Sequence, residues 1–588
     1  MVSPTSLLGL ALATASIAHA AENWTVGQVV ETSSGSVSGH AASVAVEVSE
    51  YLGIPFAQPP VGDLRWMAPK KYEGTGGING TDFGFSCPSS SSASPSVADL
   101  TSANLTSSGL QILASLGQIG DTFSEDCLTL NVWTAPQSGS SKKAVLVWIY
   151  GGGFTTGNSN NAAYNGQYIA SSEDVVVVSF NYRLNIFGFP GAPGKDQTQN
   201  LGLLDQRLAV EWVRDNIEKF GGDSERITLF GQSAGSASVD YFTFAWKDDP
   251  IAHGFIEESG SALGPAGGLG AISASTAAGY WNAVAAKLGC GNGSSSEEDA
   301  VLTCMKGKSY PDILKAVAAG SSGTGIGTTF SPTVDEVVVF SNYTSLAMSG
   351  QFAKLPLLLG NTDNEAGLFR VLDSFGNKTQ SDVYYEAFNN LGFVCPCAQR
   401  AAYSIANDVP TWRYRWFGAF PNTQLTTVPY SGAWHASELP VLFNNTPSGG
   451  GIPASTEEEI KIGAFFRGAW AAFAKDPKQG LSTYEGGWPM YNPGGETLVR
   501  LAYQNMTGTN LAMGTMYDGA CKTDFGGGNG TRSSGNSTSI GSSPTSTGGA
   551  AAGSSTPPTV ATSGAGGSAA LMSSAYVLMG LVVATACL

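Results

Sequence analysis

Short apolar runs of strand length recur along the chain and alternate with stretches of helical periodicity. Ala144–Tyr150, Val175–Phe180 and Leu355–Gly360 are apolar at nearly every position, which is typical of strands covered on both faces. Between the last two of these runs, residues 200–217 place apolar side chains at helical spacing. Strands that alternate with helices predict an α/β protein with a large, mostly parallel sheet flanked by helices.

The stretch 220–244 predicts a turn, a short apolar strand from Ile227 and a helix, with Gly231-Gln232-Ser233-Ala234-Gly235 at the corner between strand and helix. Glycines on both sides of the serine let the backbone bend sharply and leave the hydroxyl exposed at the edge of the sheet. A bare Gly-x-Ser-x-Gly is common by chance. The strand before it and the helix after it favour Ser233 as a nucleophile.

Three consecutive glycines, 151–153, follow directly on the strand Ala144–Tyr150. Such a run is usually only a turn. At a strand end ahead of a nucleophile, however, backbone N–H groups without a neighbouring Cβ can approach a substrate carbonyl closely. Together with the N–H of Ala234, they predict a site that stabilises the oxyanion of a tetrahedral intermediate.

A serine nucleophile needs a base, and histidine is the side chain suited to that role near neutral pH. Beyond the first twenty residues the histidines are His40, His253 and His435. Where the nucleophilic serine lies at a corner of this kind, the acid follows it along the chain and the histidine follows the acid. This order selects His435. Asp363 and Glu365, which follow an apolar run, could each orient the imidazole, and the chemistry alone leaves both open.

Both ends of the chain differ in composition from residues 21–525, the predicted catalytic domain. Residues 1–20 resemble a signal peptide cleaved after Ala20, with a buried helix as the alternative. Residues 526–566 predict a disordered Gly/Ser/Thr-rich stalk, and residues 567–588 predict a glycolipid-anchor signal that is removed, with tail anchoring or simple secretion as alternatives. Acceptors for N-glycosylation support export; they are Asn23, Asn79, Asn104, Asn292, Asn342, Asn377, Asn444, Asn505, Asn529 and Asn536.

Export to an oxidising compartment predicts a disulfide between Cys87 and Cys127. Apolar residues at near-helical spacing inside that loop, from Leu110 to Ile119, predict a short helix that is either a lid or part of the surface. The formal net charge of −17 over 588 residues argues against nucleic acid or an anionic membrane as the main partner. The membrane is therefore expected as a partner only through the anchor.

Several ordered motifs resemble the type-B carboxylesterase/lipase family, which includes cholinesterases and fungal extracellular esterases and lipases. The resemblance covers roughly residues 24–520 and implies an α/β-hydrolase fold. Besides the serine corner, its motifs are Gly53–Ala57, Glu125–Val132, Trp148–Phe154 and Asn181–Leu184.

Residue by residue, the resemblance implies Glu365 as the acid and His435 as the base. It implies Gly152, Gly153 and Ala234 as the oxyanion hole and Ser259 as a further serine near the triad. It also implies a disulfide between Cys290 and Cys304, while Cys521 would pair with Cys395 or Cys397. No metal or organic cofactor is implied.

Two departures from the family pattern narrow the expected substrate. Gln232 precedes the serine where many members have Glu, so one negative charge beside the site is missing. The loop between Cys87 and Cys127 contains no tryptophan, so the aromatic face with which cholinesterases bind choline is absent. A cholinesterase is therefore not expected.

The expected function is that of an extracellular serine carboxylic-ester hydrolase that acts through an acyl-enzyme on a small-molecule or lipid ester. A triacylglycerol lipase is the alternative within the family. A non-catalytic adhesion or binding module is the alternative from another class, since a fold alone does not establish an activity.

Overall fold

The computed structural model describes the predicted catalytic domain and neither end of the chain. The predicted signal peptide, stalk and anchor signal lie outside the described residues. The structure describes residues 24–89, 100, 104–136, 141–194, 198–264, 270–291, 298–318, 330–375 and 379–521.

In the described part of the chain, an eleven-stranded sheet forms the centre, with the strand order β14-β13-β12-β11-β10-β9-β7-β8-β6-β4-β3. Neighbouring strands are parallel from β8 to β13 and antiparallel at both margins. A separate sheet has the order β1-β2-β5. The strands are β1 Val30–Thr32, β2 Gly35–Ser38, β3 His40–Ala41, β4 Ser49–Pro55, β5 Gly77–Asn79, β6 Thr129–Thr134, β7 Lys143–Ile149, β8 Val176–Phe180, β9 Gly222–Gln232, β10 Gly254–Glu258, β11 Leu357–Thr362, β12 Thr411–Trp416, β13 Glu496–Leu501 and β14 Ala512–Met513.

Helices connect the parallel strands, as βαβ crossovers require. A π-helical turn, Asn390–Val394, lies between α11 and α12. The α-helices are α1 Ser107–Leu116, α2 Gln167–Glu173, α3 Asn185–Gly188, α4 Leu201–Asn216, α5 Ala234–Ala245, α6 Ala274–Lys287, α7 Glu298–Lys306, α8 Tyr310–Ala318, α9 Tyr343–Met348, α10 Ala366–Phe375, α11 Asp382–Asn389, α12 Cys395–Ala406, α13 Leu439–Leu442, α14 Glu457–Lys475 and α15 Gly480–Thr483. Every helix in the described ranges is too short or too polar to traverse a bilayer.

The fully apolar runs become the central strands of the large sheet. Strands β7 and β8 are buried along their whole lengths, because helices cover both faces of the sheet. The turn predicted before the serine strand is shorter than expected. Residues Gly222–Arg226 already belong to β9, where Gly222 pairs with Lys143 of β7. Arg226 Nε donates to Asp223 Oδ2 at 2.8 Å, so polar side chains support this extension at the exposed strand end.

Three disulfides cross-link the described part of the chain. Cys87 pairs with Cys127, and Cys290 pairs with Cys304. Cys521 pairs with Cys395, which leaves Cys397 as a buried thiol. Burial raises the pKa of the Cys397 thiol to about 11, so this group stays neutral and unreactive at physiological pH.

Candidate active site

Ser233 occupies the sharp corner between β9 and α5, at the carboxyl end of the parallel strands. Its backbone has φ 58° and ψ −122°, a conformation that non-glycine residues rarely adopt and that surrounding structure must hold in place. The Ser233 N–H donates to the carbonyl of Glu258 on the neighbouring strand at 2.8 Å. A Cβ on Gly231 would come within 2.6 Å of the Gly235 backbone, so the corner can close only with glycines there.

The glycine loop after β7 lies directly against this corner. An added Cβ on Gly151 would be 2.8 Å from the Ser233 Cβ. Gly152 and Gly153 have φ of 113° and 59°, which glycine adopts without strain. Neither of their N–H groups finds an acceptor within the described part of the chain. The N–H of Ala234 is also free of helical partners, because Ala234 is the first residue of α5.

His435 reaches the same edge of the sheet from a loop that follows β12. Its Nδ1 lies 2.5 Å from Glu365 Oε2. The second carboxyl oxygen, Oε1, accepts a hydrogen bond from the Thr362 N–H at 2.7 Å, and the Glu365 N–H donates to Asn389 Oδ1 at 2.8 Å. Glu365 is fully buried and His435 is 3% exposed, so water does not weaken this contact. Because Nδ1 carries the proton that faces the carboxylate, Nε2 is left as an acceptor.

The Nε2 atom of His435 faces Gln232 in this structure. The Gln232 Nε2 lies 3.2 Å away, which places the amide as a donor to the neutral imidazole. Among the described residues, no hydrogen bond joins Ser233 Oγ to His435. In free enzymes such contacts are often long and shorten in the substrate complex. Gln232 therefore contacts Nε2 of His435, the atom that would have to accept a proton from Ser233.

Two further carboxyl groups, Glu258 and Glu438, are buried behind the histidine loop. Burial raises the pKa of Glu258 to about 8, although Trp470 Nε1 donates to its Oε1 at 2.7 Å. Burial, and then the nearby Glu258 and Glu365, raise the pKa of Glu438 well above its ordinary value. Burial therefore favours the neutral form of both of these carboxyl groups.

The structure separates the two acid candidates. Asp363 accepts a hydrogen bond from Arg415 Nε at 2.9 Å, and its side chain is 41% exposed. Glu365, by contrast, turns its carboxylate towards His435.

Ser259 lies beside the serine corner with φ 55° and donates its N–H to the Gly360 carbonyl at 2.8 Å. Its hydroxyl is buried without a hydrogen-bond partner in the described ranges.

Sequence reasoning missed three residues that contact the site from the helical segments following Glu365. Asn389 holds the backbone of Glu365, and the rings of Phe369 and Phe393 pack against His435. Phe369 lies one helical turn after Glu365, a spacing that could have pointed to it. Nothing in the local sequence around Asn389 or Phe393 indicates a position next to the histidine.

Helix α1 forms where the apolar periodicity predicts it. Its N-terminus is capped by Thr106, whose side chain accepts a hydrogen bond from the Gly109 N–H. A cavity of about 140 Å³ lies between this helix and the loops that carry Tyr164 and His435. The walls include Ile112 and Leu116 of the helix, together with Trp434 and Ala436, the chain neighbours of His435.

Comparison with known proteins places this chain in a family. The model of the Carboxylesterase family matches residues 26–386. The chain is 34% identical over 495 residues to a chlorogenic acid esterase of Aspergillus niger, covering 81% of this chain and 90% of that protein. It is 32% identical over 511 residues to secreted lipase 5 of Gibberella zeae, covering 82% of this chain and 91% of that protein.

Among solved structures, a PNB esterase matches with a TM-score of 0.64 and 28% sequence identity. The match covers 81% of this chain and 96% of the PNB esterase chain. The large sheet with helices on both faces agrees with the α/β-hydrolase fold expected from the sequence. The chain therefore belongs to the carboxylesterase family, and it is a serine carboxylic-ester hydrolase of the α/β-hydrolase fold.

Proposed function

We propose that Ser233, His435 and Glu365 are the catalytic triad and that Gly152, Gly153 and Ala234 form the oxyanion hole. The observation that carries this proposal is the buried 2.5 Å contact between His435 Nδ1 and Glu365 Oε2, beside a serine held in a strained strand-to-helix corner. Triads are recognised by geometry and roles, and the buried contact with Glu365 supports the roles of acid and base for this pair.

In the proposed mechanism, Ser233 Oγ attacks the ester carbonyl while His435 Nε2 takes its proton. This step requires the Gln232 amide to yield the Nε2 position to the serine hydroxyl. The carboxylate of Glu365 stabilises the resulting imidazolium, and the three N–H groups stabilise the oxyanion. His435 returns the proton to the leaving alcohol, and water then hydrolyses the acyl-enzyme with the same residue as base.

The test is hydrolysis of p-nitrophenyl esters from acetate to palmitate by purified residues 21–525, beside Ser233→Ala. We expect turnover by the wild type and a loss of at least about a thousandfold in kcat in the variant. Ser236→Ala is the matched control, because it is the next serine in the chain and its hydroxyl donates to the Gly260 carbonyl at 2.7 Å. Equal activity in wild type and Ser233→Ala would refute the assignment of the nucleophile.

For the natural substrate we propose a water-soluble small-molecule ester rather than a triacylglycerol. The chlorogenic acid esterase supports this choice, and chlorogenic acid is therefore the first natural ester to assay. The secreted lipase supports the alternative. A rate that jumps when a short-chain ester passes its solubility limit would favour the lipase, and a smooth saturation curve would favour the esterase.

The protein is extracellular, in agreement with its relative named a secreted lipase and with the disulfides of its described residues. We further propose that residues 567–588 direct attachment of a glycolipid anchor, at the end of a stalk formed by residues 526–566. Phosphatidylinositol-specific phospholipase C should then release the mature protein from cells. Enzyme that stays on the cell surface after this treatment would contradict the anchor.

A further inference from the structure

Three phenylalanines form a cluster next to the imidazole of His435, and two of them contact it. The ring centroid of Phe393 lies 4.7 Å from that of His435, with an interplanar angle of 49°. Phe369 lies at 5.4 Å with an angle of 43°. Phe388 lies behind them, 4.7 Å from Phe369 and 5.8 Å from Phe393, and makes no ring contact with His435.

The π-helical turn Asn390–Val394 is what brings Phe393 to this position. In an α-helix the neighbours of Phe388 on one face would be Leu391 and Gly392, three and four residues later. A π-turn instead aligns residues five apart, so Phe393 stands next to Phe388. Such turns are rare and are found frequently at functional sites. Here the π-turn places an aromatic ring, and not Leu391 or Gly392, next to Phe388, and that ring also contacts His435.

An aromatic ring in this place affects the two protonation states of His435 differently. The face of a phenyl ring attracts a cation, and the attraction is strongest where water is excluded. His435 is 3% exposed, while Phe369 and Phe393 are each 5% exposed. In the proposed mechanism the imidazole becomes positively charged when it takes the serine proton. The two rings therefore stabilise the charged form that exists in the transition state.

The other charged groups near His435 do not replace the two phenyl rings as a source of stabilisation for the protonated imidazole. Glu365 faces Nδ1, and the buried carboxyls Glu438 and Glu258 lie behind the loop with raised pKa values. The charged residues of α10 pair with Asp382 of α11 or with a tyrosine. Glu386, the other charged residue of α11, is exposed to solvent. Arg370 pairs with Asp382 at 2.8 Å, the Tyr385 hydroxyl donates to Asp373 at 2.8 Å, and on β12 Arg415 pairs with Asp363.

We propose that Phe393, placed by the π-turn and supported by Phe369, is a positioning residue that stabilises the protonated imidazole of His435 during ester hydrolysis. This inference rests on the proposed role of His435 as the base. It adds a second source of stabilisation for the imidazolium, independent of Glu365.

The test compares Phe393→Leu with Phe388→Leu, which makes the same change in the same cluster without touching the histidine. For Phe393→Leu we expect kcat to fall about 3- to 10-fold with KM within about twofold of wild type. The acid limb of the pH profile should move about 0.5 to 1 unit to lower pH, because the charged imidazole loses stabilisation. Phe393→Tyr, which keeps the ring, should restore both values.

A second readout does not depend on turnover. In residues 21–525 the histidines are His40, His253 and His435, so NMR of protein labelled with ¹³C at histidine Cε1 can follow each titration. The His435 signal should titrate at lower pH in Phe393→Leu, while the signals of His40 and His253 stay unchanged. If Phe393→Leu shifts the His435 titration but the wild type hydrolyses no ester, the proposed function is refuted and the effect of the phenyl ring on His435 stands.

Two results would overturn the inference. One is a pH profile and a His435 titration in Phe393→Leu that coincide with wild type. The other is an equal shift in Phe388→Leu, which would show that loosened packing is the cause. If Phe393→Leu does not fold, Phe393→Met keeps the side-chain volume without the ring and decides by the same criteria.

Discussion

Replacing Glu365 by Gln tests the triad at the residue where the sequence left two acids open. The carboxylate accepts two hydrogen bonds at once, from the Thr362 N–H at 2.7 Å and from His435 Nδ1 at 2.5 Å. A glutamine has only one oxygen for these two donors. If the oxygen stays with Thr362, the amide N–H₂ faces Nδ1 and forces the proton onto Nε2, which can then no longer accept the serine proton.

The magnitude follows from this conflict. A hydrogen bond to a charged group contributes about 1.5–3 kcal/mol, and a buried donor left unsatisfied costs about 1–3 kcal/mol. Together these losses amount to roughly 2.5–6 kcal/mol, which corresponds to a fall in kcat of about 10²- to 10⁴-fold. Changing the triad aspartate of a serine protease to asparagine also imposes the wrong histidine tautomer, and it lowers kcat by about 10⁴-fold.

The assay is steady-state hydrolysis of p-nitrophenyl butyrate, with circular dichroism to show that each variant is folded. Asp363→Asn is the matched control, because Asp363 pairs with Arg415 near the surface. Its kcat should stay within about threefold of wild type, since partly exposed ion pairs contribute little. A Glu365→Gln variant that keeps a tenth or more of wild-type kcat, or an Asp363→Asn variant that loses as much, would refute the reasoning.

Three more predictions concern pH and stability. Gln232→Glu should move the acid limb of kcat/KM to higher pH by about one unit, because a carboxylate beside His435 Nε2 favours the imidazolium; an unmoved limb would contradict this. Burial raises the pKa of Glu258 from 4.5 to about 8, so its contribution to stability is complete below pH 4.5 and is lost as the pH rises towards 8. The free energy of unfolding of Glu258→Gln, measured by thermal unfolding, should therefore rise relative to wild type between pH 5 and 8, on the order of a few kcal/mol. A difference between variant and wild type that does not change with pH would argue against a neutral Glu258. Cys521→Ser removes the disulfide to Cys395, 126 residues away in the chain. The free energy of unfolding in urea titrations should fall by about 2–5 kcal/mol. An unchanged urea midpoint would contradict this disulfide.

Local sequence patterns were sufficient to predict the strands, turns and helix that carry most residues of the candidate site. The apolar run 144–150 and its three glycines, the serine corner at 231–235 and the helix after it all lie where the sequence predicts them. These features depend on residues close together in the chain, since a buried parallel strand needs continuous apolar side chains and a sharp corner needs glycine. The same patterns misplaced the start of β9, because pairing with β7 extends the strand across polar residues.

The chemistry available to this protein can be read from its residues in order: a serine at a strand end, a histidine in the right place along the chain and glycines able to present N–H groups. Which of these groups meet depends on the folded molecule. Folding brings Glu365 rather than Asp363 to His435, pairs Cys521 with Cys395, and uses a π-turn to set Phe393 against the imidazole. These contacts join residues far apart in the chain, and their geometry depends on how strands and helices pack, which no local pattern encodes.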